Sequence, residues 1–319
     1  MGASHSKKEE VVNKPTLPVG GFHRRPLPSP AIAFSSTEGK QLFRKALAEG
    51  TAEIFFPLSE AFRTQDEPAY CGLGTLVTVL NALEVDPGTL WKGSWRWYDE
   101  SMLGCCVALE EVKENGIAWD EWLCVCRCQG IHVESKRAEE SSITELRERI
   151  KASCTGSSSV LCVSYSRAVL SQSGDGHYSP IGAYVAESDS VLIMDVARFK
   201  HPPHYVPLQR LWEAMIRADK STGRSRGFAT LSRARQSGNP NSLLTLTFGR
   251  GRLSASAEYF STAVGSLVAG ATSAGERPAH SIQTMEDPKQ LLPAACCLLP
   301  AACCLGCRCP ARLLRVPAH

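Results

Sequence analysis

The apolar period of this chain changes once along its length, and that change restricts the fold more than any other feature. In the first half, "TEGKQLFRKALAEG" places apolar residues at helical spacing and closes on Gly50. "TLVTVLNAL", just after Gly72 and Gly74, is apolar all round and reads as a buried helix. "CVALEEVKENG" predicts a helix with Gly116 as its C-cap. "SSITELRERIKASC" predicts another, with Ser141 or Ser142 as N-cap and Glu145 in the first turn. Then the period shortens. "SSVLCVSYS" is rich in β-branched residues and reads as a strand, and "HYSPIGAYVAE" with "SVLIMDVARF" reads as a β-hairpin turning near Glu187–Ser190. "LQRLWEAMIRAD" returns to helix and "RGFATLSR" reads as a last strand. Helices first and an antiparallel sheet second is the α+β pattern, a helical N-terminal lobe followed by a β-sheet lobe.

The flanks differ from this centre. Residues 1–34 are polar and proline-dotted and read as a flexible lead-in, 35–235 as the folded domain, and 236–319 as a low-complexity, partly disordered region. Within that region the segment 291–309 is cysteine-rich and repeats "LLPAACC" directly. The net charge of +3, without interleaved basic and aromatic residues, argues against a nucleic-acid partner. "MGASHS" fits the N-myristoylation pattern at Gly2, but one acyl chain anchors weakly, and Glu9 and Glu10 offset Lys7 and Lys8. The apolar stretch Leu291–Cys307 is short for a membrane span and is interrupted by Pro293 and Pro300. Fourteen cysteines without an apolar leader point to free thiols in a reducing, cytoplasmic setting, at a membrane only if Gly2 is acylated.

"QDEPAYCGLG" carries the chemistry. Cys71 follows a proline-marked turn and opens the buried helix, where the helix N-terminus favours a thiolate. Gln65, six residues upstream, is a candidate oxyanion donor beside the Cys71 backbone N–H. In "GDGHYSPIGAYVAESDSVLIMDVARF", His177 and Asp195 fall on adjacent strands if the hairpin turns as predicted. A carboxylate in so apolar a strand needs a partner, either His177 or Arg198. Cys71, His177 and Asp195 then form a nucleophile, base and orienting acid.

That order, with the upstream glutamine, resembles the papain-like cysteine peptidases. The longer stretches "EPAYCGLGTLVTVLNALEVDPGTLWKGSWRWYDESMLGCC", "GDGHYSPIGAYVAESDSVLIMDVARFKHPPHYVPLQRLWEAM" and "DKSTGRSRGF" resemble the catalytic domain of phytochelatin synthases, collinear from Thr37 to Arg233. The resemblance implies a papain-like fold and transfer of γ-glutamylcysteine from one glutathione to another with release of glycine. It places the triad on Cys71, His177 and Asp195, the oxyanion donor on Gln65, and a glutathione anchor on Asp219 and Arg226, with Gly176 leaving room beside the base. Arg167 and Lys200 are further candidates, for an acceptor carboxylate.

No organic cofactor is implied. The same resemblance implies Cd, Zn and Cu ions as activators, mainly as metal–glutathione thiolates that are themselves substrate. The partners it implies are glutathione and phytochelatin peptides, and a second copy of the chain or, through an acylated Gly2, a membrane surface are further expectations. Cys105, Cys106, Cys124, Cys126 and Cys128 are candidate soft-metal ligands, and in a strand the last three would share a face. Plant members carry a long, cysteine-dotted second domain that the residues after 235 do not resemble. The same triad also suits hydrolytic deglycination of glutathione or its S-conjugates, and a metal-binding or membrane-docked protein with a weak catalytic domain is a third reading.

Overall fold

In the computed structural model, residues 25–234, 243–248 and 251–256 are described. Gly2 and the tail at 291–309 lie outside them.

The chain enters through a short strand, β1 (Ile32–Ala33), and then forms α1 (Thr37–Ala48). Ser36 caps α1 by accepting from the Gly39 N–H, and the chain leaves it through Gly50 at φ +67°. A helix missed in the sequence, α2 (Phe55–Ala61), precedes α3 (Cys71–Ala82). The apolar run thus begins its helix at Cys71 itself, and every residue from Gly72 to Ala82 is buried. Three more helices follow, α4 (Leu109–Asn115), α5 (Trp119–Cys128) and α6 (Ile143–Cys154). Gly116 ends α4 at φ +75°, and Ser142 caps α6 by accepting from the Glu145 N–H.

The sheet orders its strands β1-β6-β5-β4-β3-β7-β2, and every pairing is antiparallel. The strands are β2 (Ile131–Arg137), β3 (Ser159–Ser166), β4 (Gly176–Val185), β5 (Ser190–Ile193), β6 (His204–Pro207) and β7 (Gly227–Arg233). The predicted hairpin is β4 and β5. The period change is less clean than the sequence suggests, because β2 comes before α6 and pairs with β7 at the far edge. Helix α7 (Leu208–Ile216) follows β6. Beyond the sheet, β8 (Leu243–Phe248) and β9 (Gly251–Ser256) pair as an antiparallel ribbon, in a region the sequence reads as weakly patterned.

Helix α3 packs on β4, and this contact positions the site. Thr75 Oγ1 donates to the Tyr178 carbonyl at 3.0 Å, and the Trp122 indole of α5 donates to the Gly72 carbonyl at 2.9 Å. A Cβ on Gly72 would lie 2.5 Å from Ile117 Cγ2, so glycine is required for this approach. Leu73, Leu76, Val77, Val79 and Leu80 are wholly buried, each contributing roughly 1.5–3 kcal/mol. Among the described residues no helix is long and apolar enough to cross a membrane.

Candidate active site

Cys71 is the first residue of α3, after the turn Gln65–Tyr70. Its sulfur is partly buried, and burial pushes its thiol up, opposed by a hydrogen bond from the Tyr178 backbone and by the Arg167 charge. The helix N-terminus that should favour a thiolate is outweighed by desolvation. Tyr178 follows His177 in β4, so the backbone that meets the Cys71 sulfur is the one that carries the imidazole.

His177 Nε2 lies 2.8 Å from Asp195 Oδ1, and both residues are buried. This bond leaves Nδ1 as the nitrogen that exchanges a proton. Asp195 sits just past the end of β5, where Oδ1 also accepts the Ala197 N–H at 2.8 Å. Burial, with the Arg167 charge, lowers the His177 pKa to about 4, and the imidazole is neutral at pH 7. The carboxylate of Asp195 is held well below its usual range by His177 and Arg167, which outweigh its burial. Burial thus favours the uncharged thiol and the uncharged imidazole over the ion pair.

Two expectations about charge partners change. Arg198 does not pair with Asp195, since its guanidinium lies over the Phe62 ring at 5.0 Å. Arg167 is no substrate ligand as it stands. It is 2% exposed, and its Nη2 donates to Asp195 Oδ1 and Oδ2 at 2.9 and 2.7 Å. Its Nη1 donates to Gln172 Oε1 at 2.6 Å. Gln172 Nε2 in turn meets His204 Nε2 at 3.0 Å, while His204 Nδ1 donates to the Pro202 carbonyl at 2.8 Å. Sequence reasoning missed Gln172 and His204. Their only signal is polarity next to apolar strands.

Gln65 also departs from expectation. It is buried, and its Nε2 donates to the carbonyls of Glu67 and Pro68 at 2.8 and 2.9 Å. Both amide hydrogens are engaged within its own turn rather than free to meet an oxyanion.

A second cluster lies at Gly176, the residue before the base. A Cβ there would lie 3.7 Å from Arg226 Nη2 and 4.0 Å from Asp219 Oδ2. Arg226 is 2% exposed, pairs with Asp175 Oδ1 at 3.2 Å and lies 3.8 Å from Asp219, while its Nε is buried without a partner. The structure thus brings Asp219, Arg226 and Gly176 together and adds Asp175. Lys200 is half-buried, and its Nζ would lie 3.7 Å from a Cβ on Gly174. Its pKa is lowered by burial and by the Arg167 charge.

The cysteine candidates divide. Cys124, Cys126 and Cys128 lie on helix α5 and not on a strand, so alternate residues do not share a face. Cys126 is buried in the core, where burial raises its thiol, and it leaves the set. The sulfurs of Cys105, Cys106 and Cys128 lie within 4.8 Å of one another. Cys106 and Cys124 are joined as a disulfide where the sequence predicts free thiols.

The phytochelatin synthase family model matches residues 22–228, about two thirds of the chain. The chain belongs to the phytochelatin synthase family. It is similar to glutathione gamma-glutamylcysteinyltransferase 3 of Lotus japonicus, at 51% identity over 71% of this chain and 47% of that protein. Against glutathione gamma-glutamylcysteinyltransferase 1 of Arabidopsis thaliana the identity is 52%, over 72% of this chain and 47% of that one. The Schizosaccharomyces pombe transferase is 43% identical over 66% of this chain and 51% of its own length. The chain spans about half the length of the curated relatives it matches.

Proposed function

We propose that the chain is a glutathione γ-glutamylcysteinyltransferase with a papain-like catalytic domain over residues 35–235, making phytochelatins through an acyl-enzyme on Cys71. The observation that carries this reading is the buried His177–Asp195 pair at 2.8 Å, set beside a cysteine that opens an apolar helix. His177 Nδ1 takes the thiol proton as the Cys71 sulfur attacks the Cys–Gly carbonyl of glutathione. The tetrahedral intermediate collapses, and the same proton goes to the leaving glycine amine. The γ-glutamylcysteinyl thioester is then attacked by the α-amine of a second glutathione. His177 accepts that proton and returns it to the Cys71 sulfur as the new peptide leaves.

The Cys71 N–H is one oxyanion donor. Gln65 becomes a second if one of its amide hydrogens leaves its loop carbonyl. Arg226 Nε, buried without a partner, offers a donor to the α-carboxylate of glutathione, and Asp219 balances its α-amine. Lys200, near Gly174, is the candidate for an acceptor carboxylate. Once the Cys106–Cys124 disulfide is reduced, Cys105, Cys106, Cys124 and Cys128 suit a thiophilic ion such as Cd²⁺, Zn²⁺ or Cu⁺. Activation by such ions rests chiefly on their glutathione thiolates as substrate. Gly2 acylation would add a membrane contact, and a second copy of the chain is the other partner proposed.

The reading is tested by incubating the protein with glutathione, with and without Cd²⁺, and separating thiols by chromatography with mass detection. Glycine-terminated oligomers of γ-glutamylcysteine that lengthen with metal are expected. γ-Glutamylcysteine and glycine alone would make the chain a hydrolase, and no turnover would remove the enzymatic reading.

A further inference from the structure

Glu100 opens a 3₁₀ turn, Glu100–Met102, and is 1% exposed. A carboxyl this deep is neutral or fully paired. It is not fully paired. Oε2 accepts the Asp66 N–H at 2.9 Å, but Oε1 is buried without a donor. Gln65, next to Asp66, has the same defect: its Nε2 is satisfied and its Oε1 is buried without a donor. The two side chains meet over Gly74 of α3. A Cβ on that glycine would lie 2.8 Å from Glu100 Oε1 and 3.0 Å from Gln65 Cβ. Two residues that pack on one glycine thus each hold an orphaned acceptor oxygen, and a single carboxyl proton shared between them would relieve both, because a protonated glutamate is a donor.

We propose that Glu100 is a positioning residue for acyl transfer: its carboxyl is protonated in the working enzyme and donates from Oε1 to Gln65 Oε1, fixing the amide and the turn Gln65–Tyr70 that delivers Cys71 to the start of α3. The charges around it agree. Burial and, to a smaller extent, the Asp66 carboxyl raise its pKa to about 8, against the opposing Asp66 N–H and Arg63 charge. Asp99 on its own turn is held by Arg63 at 3.2 Å, and Tyr70 feels Glu100 from the end of the Gln65 turn. Deprotonation would place a carboxylate against the Gln65 carbonyl oxygen and loosen the turn. The role rests on the transferase reading only through its activity readout.

Glu100→Gln, whose amide supplies the same donor, is expected to keep kcat at pH 7 within about threefold. Glu100→Ala strands buried polar atoms and should lower kcat about tenfold or more. The wild type should also lose activity above about pH 8 along a limb that Glu100→Gln lacks. Independently of turnover, the infrared spectrum at pH 7 should hold a protonated-carboxyl stretch that disappears in Glu100→Gln. Thermal stability of the wild type should fall from pH 4.5 to 8, where only the unfolded glutamate ionises, and the fall should be smaller in Glu100→Gln. Equal loss of kcat in Glu100→Gln and Glu100→Ala, or absence of that carboxyl band, would overturn the proposal. Glutathione left unturned by the wild type would sink the transferase reading while the spectroscopic and thermal measurements still judged Glu100.

Discussion

Asp195 is fixed from three directions, by His177, by Arg167 and by the Ala197 N–H. Arg167 is the partner whose removal separates structure from chemistry. Arg167→Met keeps the volume but leaves a buried carboxylate without its cation, which should destabilise the fold by about 3–5 kcal/mol and misalign the imidazole. Urea midpoints and kcat on glutathione check both parts, and a stable, fully active variant would refute the anchoring role. His177 gives a pH prediction of definite sign. Its folded pKa of about 4 lies below its unfolded 6.5, so the unfolded chain binds the proton first. Stability should therefore fall as pH drops from 6.5 to 4, by about 3 kcal/mol, and His177→Asn should lack that part of the slope. The pairing of His177 with Asp195 was legible because a carboxylate inside so apolar a strand needs a partner and the predicted hairpin brings His177 beside it. The cation beside Asp195 was not, because Arg167 and Arg198 look alike until the fold turns one inward and lays the other on Phe62.

Helix α3 is the element on which the site depends, and its glycines show how closely it is packed. Gly72→Ala would bring a Cβ to 2.5 Å from Ile117, so α3 must shift. We expect about 1–3 kcal/mol of destabilisation and a larger proportional loss in kcat than in Tm, because the shift carries Cys71 with it. Calorimetry alongside steady-state rates measures this, and an unchanged rate would mean that the helix is not what aligns the thiol. Most helices and the hairpin were readable from period and caps. Helix α5 was not, since cysteines at alternate positions imitate a strand. Its helix is set by Trp119, Trp122 and Val125 on the buried side and by Glu121, which accepts the Ala118 N–H at 3.0 Å. Helical spacing explains why Cys124 and Cys128, four apart, both reach Cys106 while Cys126 points into the core.

At the scale of the molecule, the strand order joins residues far apart in sequence. Strand β7 pairs with both β2 and β3, a register that no local pattern in "RGFATLSR" discloses. The class of fold was legible and the topology was not, because pairing partners depend on the global arrangement. If the domain division is right, a chain ending at Arg235 should still release glycine from glutathione, and loss of folding on truncation would assign the later residues a structural role. Serine at Cys105, Cys106 and Cys128 together should weaken Cd²⁺ binding to reduced protein by at least about tenfold in titration calorimetry. The central claim is the thioester on Cys71, and intact-mass spectrometry of acid-quenched protein mixed with glutathione tests it most directly. An increment of one γ-glutamylcysteinyl unit should map to Cys71 and be absent from Cys71→Ala. An increment elsewhere, or turnover by Cys71→Ala, would contradict it.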